Sequence, residues 1–278
     1  MVLILGFTGI FGKLISLNTI ELVWYRMLIA FITLLTFLAF KKELTKIKKK
    51  DFFGLLFVGS LVAVHWFFFF ESIKVSNVSV AVVCLSTASF FSAMIEPFFL
   101  KRKHKLYEYL LGIVVFVTLF LMLEAETKYT MGYIYGIIAS FLGTLFTLYN
   151  AKYINRLEAS KITMVEMLAG VIIFSILMLI NKEIGISNLK ININDFVYLF
   201  LLGTICTAAV FVWMVEIMKY ISPYSLIMAI NLEPIYSIVL ALIIFSESEH
   251  MNLSFYIGAS VIILVVFLES YLKNKIKS

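Results

Sequence analysis

The sequence contains little charge and almost no cysteine. Only 14% of its 278 residues are charged, whereas 62% are hydrophobic, and its mean hydropathy is +1.03. Because a soluble domain is about 45–50% apolar, this chain has too little polar surface to cover itself in water. Its two cysteines, Cys84 and Cys206, both lie inside apolar stretches. We therefore exclude a disulfide framework and expect both to be reduced and buried.

Signatures of several chemistries are absent as well. The sequence has no Walker loop, which excludes drive by ATP bound to this chain. It has no histidine, cysteine and glutamate spacing typical of a metal site, and no Ser-His-Asp order. We expect no cofactor, no metal and no enzyme activity. Basic residues fall in short runs between apolar stretches, which indicates membrane topology rather than nucleic-acid binding.

Ten long apolar stretches fill the chain. In lipid only a helix satisfies the hydrogen bonds of a single spanning segment, and a barrel would show short alternating strands instead. The first stretch lacks a basic beginning and is interpreted as a short span rather than a cleavable signal. The predicted fold is an all-α integral membrane protein with ten transmembrane helices. Their approximate bounds are 1–17, 20–40, 52–73, 76–99, 107–123, 131–152, 163–181, 195–218, 223–245 and 253–272.

The placement of lysine and arginine predicts the orientation. With the N-terminus in the cytoplasm, most basic residues fall on inner loops and on the basic tail at 273–278, and the outer loops carry only Lys74, Lys128, Lys182 and Lys190. This alternation follows the positive-inside rule. It predicts a multi-pass protein of the cell membrane with both termini in the cytoplasm and the lipid bilayer as its solvent.

A weak internal repeat divides the chain in two. The segment Glu71-Ser-Ile-Lys74 is similar to Glu216-Ile-Met-Lys219, and each lies at the end of a predicted span. The offset predicts two five-helix units at 1–125 and 130–272. Because five spans is an odd number, the second unit enters the membrane from the opposite side. Inverted repeats of this kind are a transporter architecture, with substrate held near the midplane between the halves.

The whole chain resembles the EamA-type branch of the drug/metabolite transporter superfamily. The resemblance rests on the ten spans in two repeats and on short motifs. These are Gly12-Lys13, Trp24-Tyr-Arg26, Tyr220-Ile-Ser-Pro223, Asn231-Leu-Glu-Pro234, Glu247 and Gly258. It implies a carrier of amino acids or other metabolites, mostly outward.

The chain departs from the family pattern at several positions. Thr87 lies in a stretch where the family often has a proline, and Ser246 replaces a glycine before Glu247. Leu5-Gly6 stands where a Trp-Gly pair is usual. The motifs therefore indicate family and fold, and they do not identify the substrate.

Three charged residues are predicted to share a cavity in the outer half. Lys13, Arg26 and Glu71 lie near the outer ends of spans one, two and three, and charge inside a bilayer needs a partner, water or an exit. We expect Glu71 to neutralise part of this basic pair, and the cavity to attract a carboxylate or phosphate. The alternative is that their long side chains reach the headgroups.

Aromatic and histidine side chains near the middle of the spans are further candidates. His65 can move a proton or bond a substrate, or it can be a packing residue bonded to a neighbouring helix. Trp66 and Trp213 can form the wall of a substrate pocket, or they can serve packing and interface placement. These alternatives stay open at the level of the sequence.

The motif around Pro234 is the most informative. Proline removes a backbone donor and frees a carbonyl at mid-span, so Pro234 is predicted to be a structural hinge. Asn231 and Glu233 beside it are assigned to the substrate cavity, with a purely structural hinge as the alternative. Ser86 and Thr87 hold the matching place in the first repeat, where they line the pocket or bond their own helix.

The sequence as a whole predicts a secondary carrier. It is expected to move a small metabolite, such as an amino acid or related compound, by alternating access. The resemblance to the family implies export. A proton is the candidate coupling ion, no nucleic-acid partner is expected, and both monomer and dimer are compatible with the sequence. The alternative is an intramembrane enzyme acting on a lipid-linked substrate. It would use acidic or histidine residues of the outer loops, namely Glu124, Glu126, Glu247, Glu249 and His250.

Overall fold

Helices make up the regular structure of the described chain. The computed structural model describes residues 1–103, 105–180 and 191–277, and the side chains of all of these except 247, 270 and 273–277. In these ranges no strand occurs. The α-helices are α1 (Val2–Leu14), α2 (Thr19–Phe40), α3 (Lys49–Val75), α4 (Val78–Leu85), α5 (Ala88–Phe99), α6 (Leu106–Ala125), α7 (Thr130–Tyr153), α8 (Ala159–Ile180), α9 (Ile193–Gly203), α10 (Val210–Ile217), α11 (Pro223–Ile230), α12 (Glu233–Phe245) and α13 (Leu253–Lys277).

Eight helical segments of the described chain are long and apolar enough to cross a bilayer. The first and last helices, Val2–Leu14 and Leu253–Glu269, are shorter apolar helices. The all-helical prediction is therefore confirmed, and the count of ten spans stays a prediction at these two terminal helices. Both cysteines are free and buried, as predicted.

Polar caps separate the apolar runs. Asn18 begins α2 by accepting a hydrogen bond from the backbone N–H of Glu21 at 3.0 Å. Asn77 does the same for α4, with a bond of 2.8 Å from the N–H of Val80. Because the first N–H groups of a helix have no partner within it, these side chains fix where a new helix starts after a short loop.

Two predicted spans are broken in the middle. The stretch predicted at 76–99 is two helices, α4 and α5, which meet at Ser86 and Thr87. The stretch predicted at 223–245 is likewise divided into α11 and α12, which meet at Asn231 and Leu232. Pro234 occupies the first turn of α12, where its missing N–H is no loss. The hinge predicted there coincides with this break.

The membrane span that contains α9 and α10 is also interrupted, by a wider helical turn between these two helices. Residues Thr204–Ala209 form a π-helical segment, a rare feature that is frequent at functional sites. In it the Thr207 hydroxyl donates to the carbonyl of Leu202, five residues earlier, at 2.6 Å. The wider turn directs Thr207 toward the centre of the bundle.

The helices pack around α3, which contacts α7 and α8 extensively. Helix α2 packs on α8, α6 on α13, α4 on α12 and α5 on α11. Small residues allow the closest approaches. A Cβ at Gly136 of α7 would lie 2.5 Å from the Cβ of Cys84 in α4, so the two backbones could not pack as closely with a larger residue there.

Candidate functional site

A cavity of about 90 Å³ lies at the centre of the bundle, beside both broken helices. Its wall is largely apolar, with a few polar groups. The polar members are Thr8, Arg26, His65, Ser140, Thr147, Asn231 and Glu233. The apolar members are Leu5, Trp66, Phe69, Leu85, Ala88, Gly143, Phe146, Phe211, Met214, Ile227 and Ile230. An apolar pocket with a small number of polar groups is the usual form of a small-molecule site.

Arg26 supplies the buried positive charge of this cavity. Only 1% of the residue is exposed. Its Nε donates to the Thr207 hydroxyl at 2.7 Å, and its guanidinium carbon lies 3.8 Å from the ring centroid of Trp66. The Nη1 atom has no hydrogen-bond partner among the described residues. Because a buried donor without a partner is costly, Nη1 is available to an acceptor that enters the cavity.

Glu233 supplies the acidic group of the cavity. It is 5% exposed and lies in the first turn of α12. It is close enough to Arg26 for an electrostatic interaction, yet no ion pair within 4.0 Å joins the two side chains. The cavity thus holds a guanidinium and a carboxyl group that are near each other without being bonded.

His65 is fixed by one hydrogen bond and by its aromatic neighbours. Its Nδ1 lies 2.7 Å from the carbonyl oxygen of Ala139. A carbonyl only accepts, so Nδ1 carries the proton and Nε2 of the neutral ring is left as an acceptor. Phe146 meets the ring edge-on, with centroids 5.3 Å apart. A Cβ at Gly143 would lie 3.2 Å from Cε1 of the ring, so the glycine makes room for it.

The two breaks meet beside the cavity. The side-chain nitrogen of Asn231 donates to the carbonyl of Ser86 at 3.3 Å, which joins the α11–α12 break to the α4–α5 break. The Thr87 hydroxyl donates to the carbonyl of Cys84 at 2.7 Å and contacts Ser140 Oγ at 2.9 Å. The N-termini of α5 and α12 therefore both begin at the cavity, and helix N-termini carry partial positive charge.

Five of the predicted cavity residues line the cavity: Arg26, His65, Trp66, Asn231 and Glu233. Ser86 and Thr87 are buried at the adjacent break. The remaining three, Lys13, Glu71 and Trp213, lie elsewhere.

The sequence could not show these three orientations. Trp213 is 47% exposed, because Phe211 and Met214 take the inward face of α10. Glu71 is half-buried on α3 and points away from the face that carries Trp66. Lys13 pairs with Glu249 rather than sharing Glu71 with Arg26.

The sequence analysis missed several residues in or beside the cavity. Thr207 does not line the cavity, but it bonds Arg26, and its position depends on the π-helical segment, which no local motif marks. Phe69, Phe146 and Phe211 look like lipid-facing or packing residues in a chain with 27 phenylalanines. Their inward position depends on the tertiary arrangement of α3, α7 and α10.

Beyond the cavity, a contact at one end of the bundle joins α1 and α4 to the segment after α12. We name it the Glu249 clasp, formed by Lys13, Val78, Ser79 and Glu249. The carboxylate, at the end of the segment after α12, accepts from the backbone N–H groups of Val78 and Ser79, each at 3.0 Å. It also accepts from Ser79 Oγ at 2.8 Å and from Lys13 Nζ at 2.7 Å. A fully buried carboxylate thus holds the N-terminus of α4.

At the opposite end lies a second contact, the Glu96 clasp, formed by Glu96, Arg102, Glu108 and Tyr224. Glu96 Oε2 accepts from the backbone N–H of Tyr224, in the first turn of α11, at 2.7 Å. Arg102 bonds Glu96 at 2.9 Å and Glu108 at 2.5 Å. Partial burial alone would lower the pKa of Arg102, but the two carboxylates outweigh this effect and raise it. The guanidinium is therefore charged in the clasp.

Two acidic residues near the ends of predicted spans are buried, although residues at such positions are often exposed at the membrane surface. Glu96 and Glu166 are both fully buried, although the sequence allows each to reach the interface. Glu96 is held by its clasp. Glu166 lies where α8 approaches α3 so closely that a Cβ at Gly59 would be 2.5 Å from its carbonyl oxygen.

Comparison with known proteins identifies the family. A family model described as the EamA-like transporter family matches residues 1–124 and again 130–271. No curated protein matches the sequence. A solved structure described only as "Crystal structure of protein" is similar in fold, with a TM-score of 0.74 over 98% of this chain and 94% of its own. Its sequence is 12% identical, so the likeness concerns the fold alone.

Proposed function

The chain belongs to the EamA-like transporter family, within the drug/metabolite transporter superfamily, and on that premise we propose that it is a secondary carrier working by alternating access. Its candidate substrate is an amino acid or a related small metabolite, and its candidate direction is export. The observation that carries the proposal is the central cavity, where the free Nη1 of buried Arg26 lies near the carboxylate of buried Glu233.

A zwitterionic solute fits the charges of this cavity. Its carboxylate would bond Arg26 beside the N-termini of α5 and α12, and its ammonium would approach Glu233. Since Arg26 and Glu233 are not directly paired, such a solute inserts between them without first breaking an ion pair. The aromatic wall around Trp66 and Phe211 suits an apolar side chain.

The size of the cavity supports a closed state. At about 90 Å³ it is smaller than the cavity of about 150 Å³ that binds benzene in an engineered protein core. It has room for a few water molecules, whereas an amino acid needs more space. Binding therefore requires the halves to separate, as alternating access demands.

Several contacts support two inverted units at 1–125 and 130–272. Helices α2, α6 and the pair α4–α5 belong to the first unit, and they pack on α8, α13 and the pair α11–α12. Each of these elements thus meets its counterpart in the other unit, as a two-fold relation requires. The bond from Asn231 to Ser86 joins positions 145 residues apart, which equals the offset of the sequence repeat.

The two clasps are the candidate gates. Each uses a glutamate near the end of one broken span to hold the N-terminus of the broken span in the other unit. Opening one clasp while the other stays closed would expose the cavity to one side only. We place the Glu96 clasp on the cytoplasmic side, with both termini, because the basic segments after α2 and α5 lie at that end.

The coupling ion is proposed to be a proton, with His65 and Glu233 as its candidate carriers. His65 presents a free Nε2 and Glu233 a cavity-facing carboxylate. A monomer contains a complete cavity, and a dimer is compatible with the exposed apolar outer surface. The alternative enzyme hypothesis gains no support, since Glu126 and Glu249 use their carboxylates to bind backbone N–H groups.

Transport by the purified protein tests the proposal. We expect proteoliposomes to exchange one or more radiolabelled amino acids, and Arg26→Lys to reduce that exchange at least about tenfold, because lysine keeps the charge but loses the planar donor set. The matched control is Arg156→Lys, since Arg156 is 55% exposed at its side chain and lies outside the cavity.

Arg156→Lys should exchange solute at the wild-type rate. If the wild-type protein moves no solute in either direction, the carrier proposal is wrong. If Arg26→Lys exchanges as fast as its control, the assignment of the binding site is wrong while the carrier proposal stands.

A further inference from the structure

A second, larger cavity lies at the surface and has no role in the proposal above. Its volume is about 680 Å³, and it lies between the α2–α3 loop and the turn between α7 and α8. We name it the basic basin, after the five cations that line it: Lys46, Lys48, Lys50, Arg156 and Lys161.

The charges of the basic basin are not balanced within the described chain. Its lining contains two acidic residues, and each already pairs with a cation. Asp51 lies 3.3 Å from Arg156, and Glu158 lies 3.2 Å from Lys161. This leaves Lys46, Lys48 and Lys50, all exposed, without an acidic partner among the residues described.

These lysines also lie at the N-terminus of α3, where the helix dipole makes a positive charge unfavourable. Helix α3 begins at Lys49, and the residue before it, Lys48, makes no side-chain capping bond. The first N–H groups of this 27-residue helix add positive potential, and the acidic residue of its first turn, Asp51, is already paired with Arg156. An anion with several acceptor oxygens would satisfy the N–H groups and the lysines together.

Apolar side chains next to the basic basin indicate where such an anion comes from. Lys50, Phe53 and Phe57 follow one another along one face of α3, and the two phenylalanines are 66% and 52% exposed. Phe40, at the end of α2, is 84% exposed. This arrangement matches a phospholipid, because the lysine lies where the charged headgroup would be and the aromatic side chains lie where the acyl chains would be.

We propose that the basic basin binds the phosphate headgroup of an anionic phospholipid. The three unpaired lysines and the N-terminus of α3 contact the phosphate, and Phe53 and Phe57 contact the acyl chain. Arg156 and Lys161, held by their own acidic partners, form the opposite wall. The proposal does not depend on transport, because it concerns a surface separate from the central cavity.

Native mass spectrometry of the full chain in detergent tests this site, with phosphatidylglycerol, phosphatidylcholine and inorganic phosphate as the probes. We expect phosphatidylglycerol to bind more tightly than phosphatidylcholine. The neutral variant K46Q/K48Q/K50Q should bind it roughly 100-fold more weakly, since each lysine contributes about 1 kcal/mol near an anionic surface. The matched control is K41Q/K101Q/K103Q, which removes the same charge at the same end of the bundle but outside the basin.

The control should keep the wild-type affinity within about twofold, because none of its three lysines lines the basin. Equal losses in both triple variants would overturn the proposal in favour of diffuse surface charge. Equal binding of the two lipids would overturn it as well. Displacement of the lipid by inorganic phosphate at matched concentration would show that the ligand is a free phosphate, and the lipid assignment would be wrong.

Discussion

The two clasps close opposite ends of the bundle with the same kind of contact, but with different numbers of bonds between the halves. Glu249 accepts hydrogen bonds from Val78, Ser79 and Lys13, all in the other half. Among the residues that the structure describes, Glu96 receives one bond from the other half, from the N–H of Tyr224. Its remaining partners come from its own half of the chain.

This difference indicates which side opens more readily. Hydrogen bonds to a charged group contribute about 1.5–3 kcal/mol each, so the Glu249 clasp holds the halves together more firmly than the Glu96 clasp. We expect the resting protein to open mainly at the Glu96 end. In the proposed topology that end is cytoplasmic, which is where an exporter takes up its substrate.

Removing the stronger clasp should have the largest effect. Glu249→Ala leaves the backbone N–H groups of Val78 and Ser79 without an acceptor and removes the ion pair of Lys13, which keeps its bond to Ser248. Breaking a buried pair costs roughly 3–5 kcal/mol. We expect an impermeant thiol reagent applied from the Glu249 end to label Thr8→Cys, in the cavity, at least about 100-fold faster in this variant. The background would be Cys84→Ala/Cys206→Ala, which removes the native thiols.

The control for this experiment is Glu216→Ala. Glu216 forms an exposed ion pair with Lys219, and such pairs contribute little, so labelling should stay at the background rate. An unchanged rate in Glu249→Ala would mean that this clasp does not restrict access, and the comparison between the two ends would lose its basis.

Removing the weaker clasp should have a smaller effect, on the other side. Glu96→Ala breaks one bond between the halves and leaves Arg102 paired with Glu108. Applied from the Glu96 end, the same reagent should label Thr8→Cys about tenfold faster than in the background. If Glu96→Ala speeds labelling from the Glu96 end more than Glu249→Ala speeds it from the Glu249 end, the ranking of the two clasps is reversed.

The sequence predicted the helices, the family and both charged residues that line the cavity, because these depend on local composition. Arg26 and Glu233 cannot face lipid cheaply, and Asn231 and Pro234 interrupt an apolar run. Each of these signals is carried by the residue itself or its immediate neighbours.

The clasps could not be predicted, because they depend on contacts between distant parts of the chain. Lys13 and Glu249 are 236 residues apart, and each alone looks like a residue at the membrane surface. The orientation of Trp213 was missed for a related reason, since neither periodicity nor composition separates a lipid-facing aromatic residue from a cavity-facing one in a uniformly apolar helix.

The smallest effect provides the sharpest comparison, because it uses one substitution at two matched places. The Ser79 hydroxyl donates to Glu249 across the halves at 2.8 Å, whereas the Ser92 hydroxyl donates to Glu96 within its own helix at 3.2 Å. Ser79→Ala should raise labelling of Thr8→Cys from the Glu249 end about fivefold, less than the full value of a bond to a charged group, because the carboxylate keeps its bonds to Lys13 and to two backbone N–H groups. Ser92→Ala should leave labelling from the Glu96 end unchanged, because its bond does not join the halves. If both variants open their ends equally, then the strength of a clasp depends on how well its carboxylate is held rather than on the bonds that cross between halves.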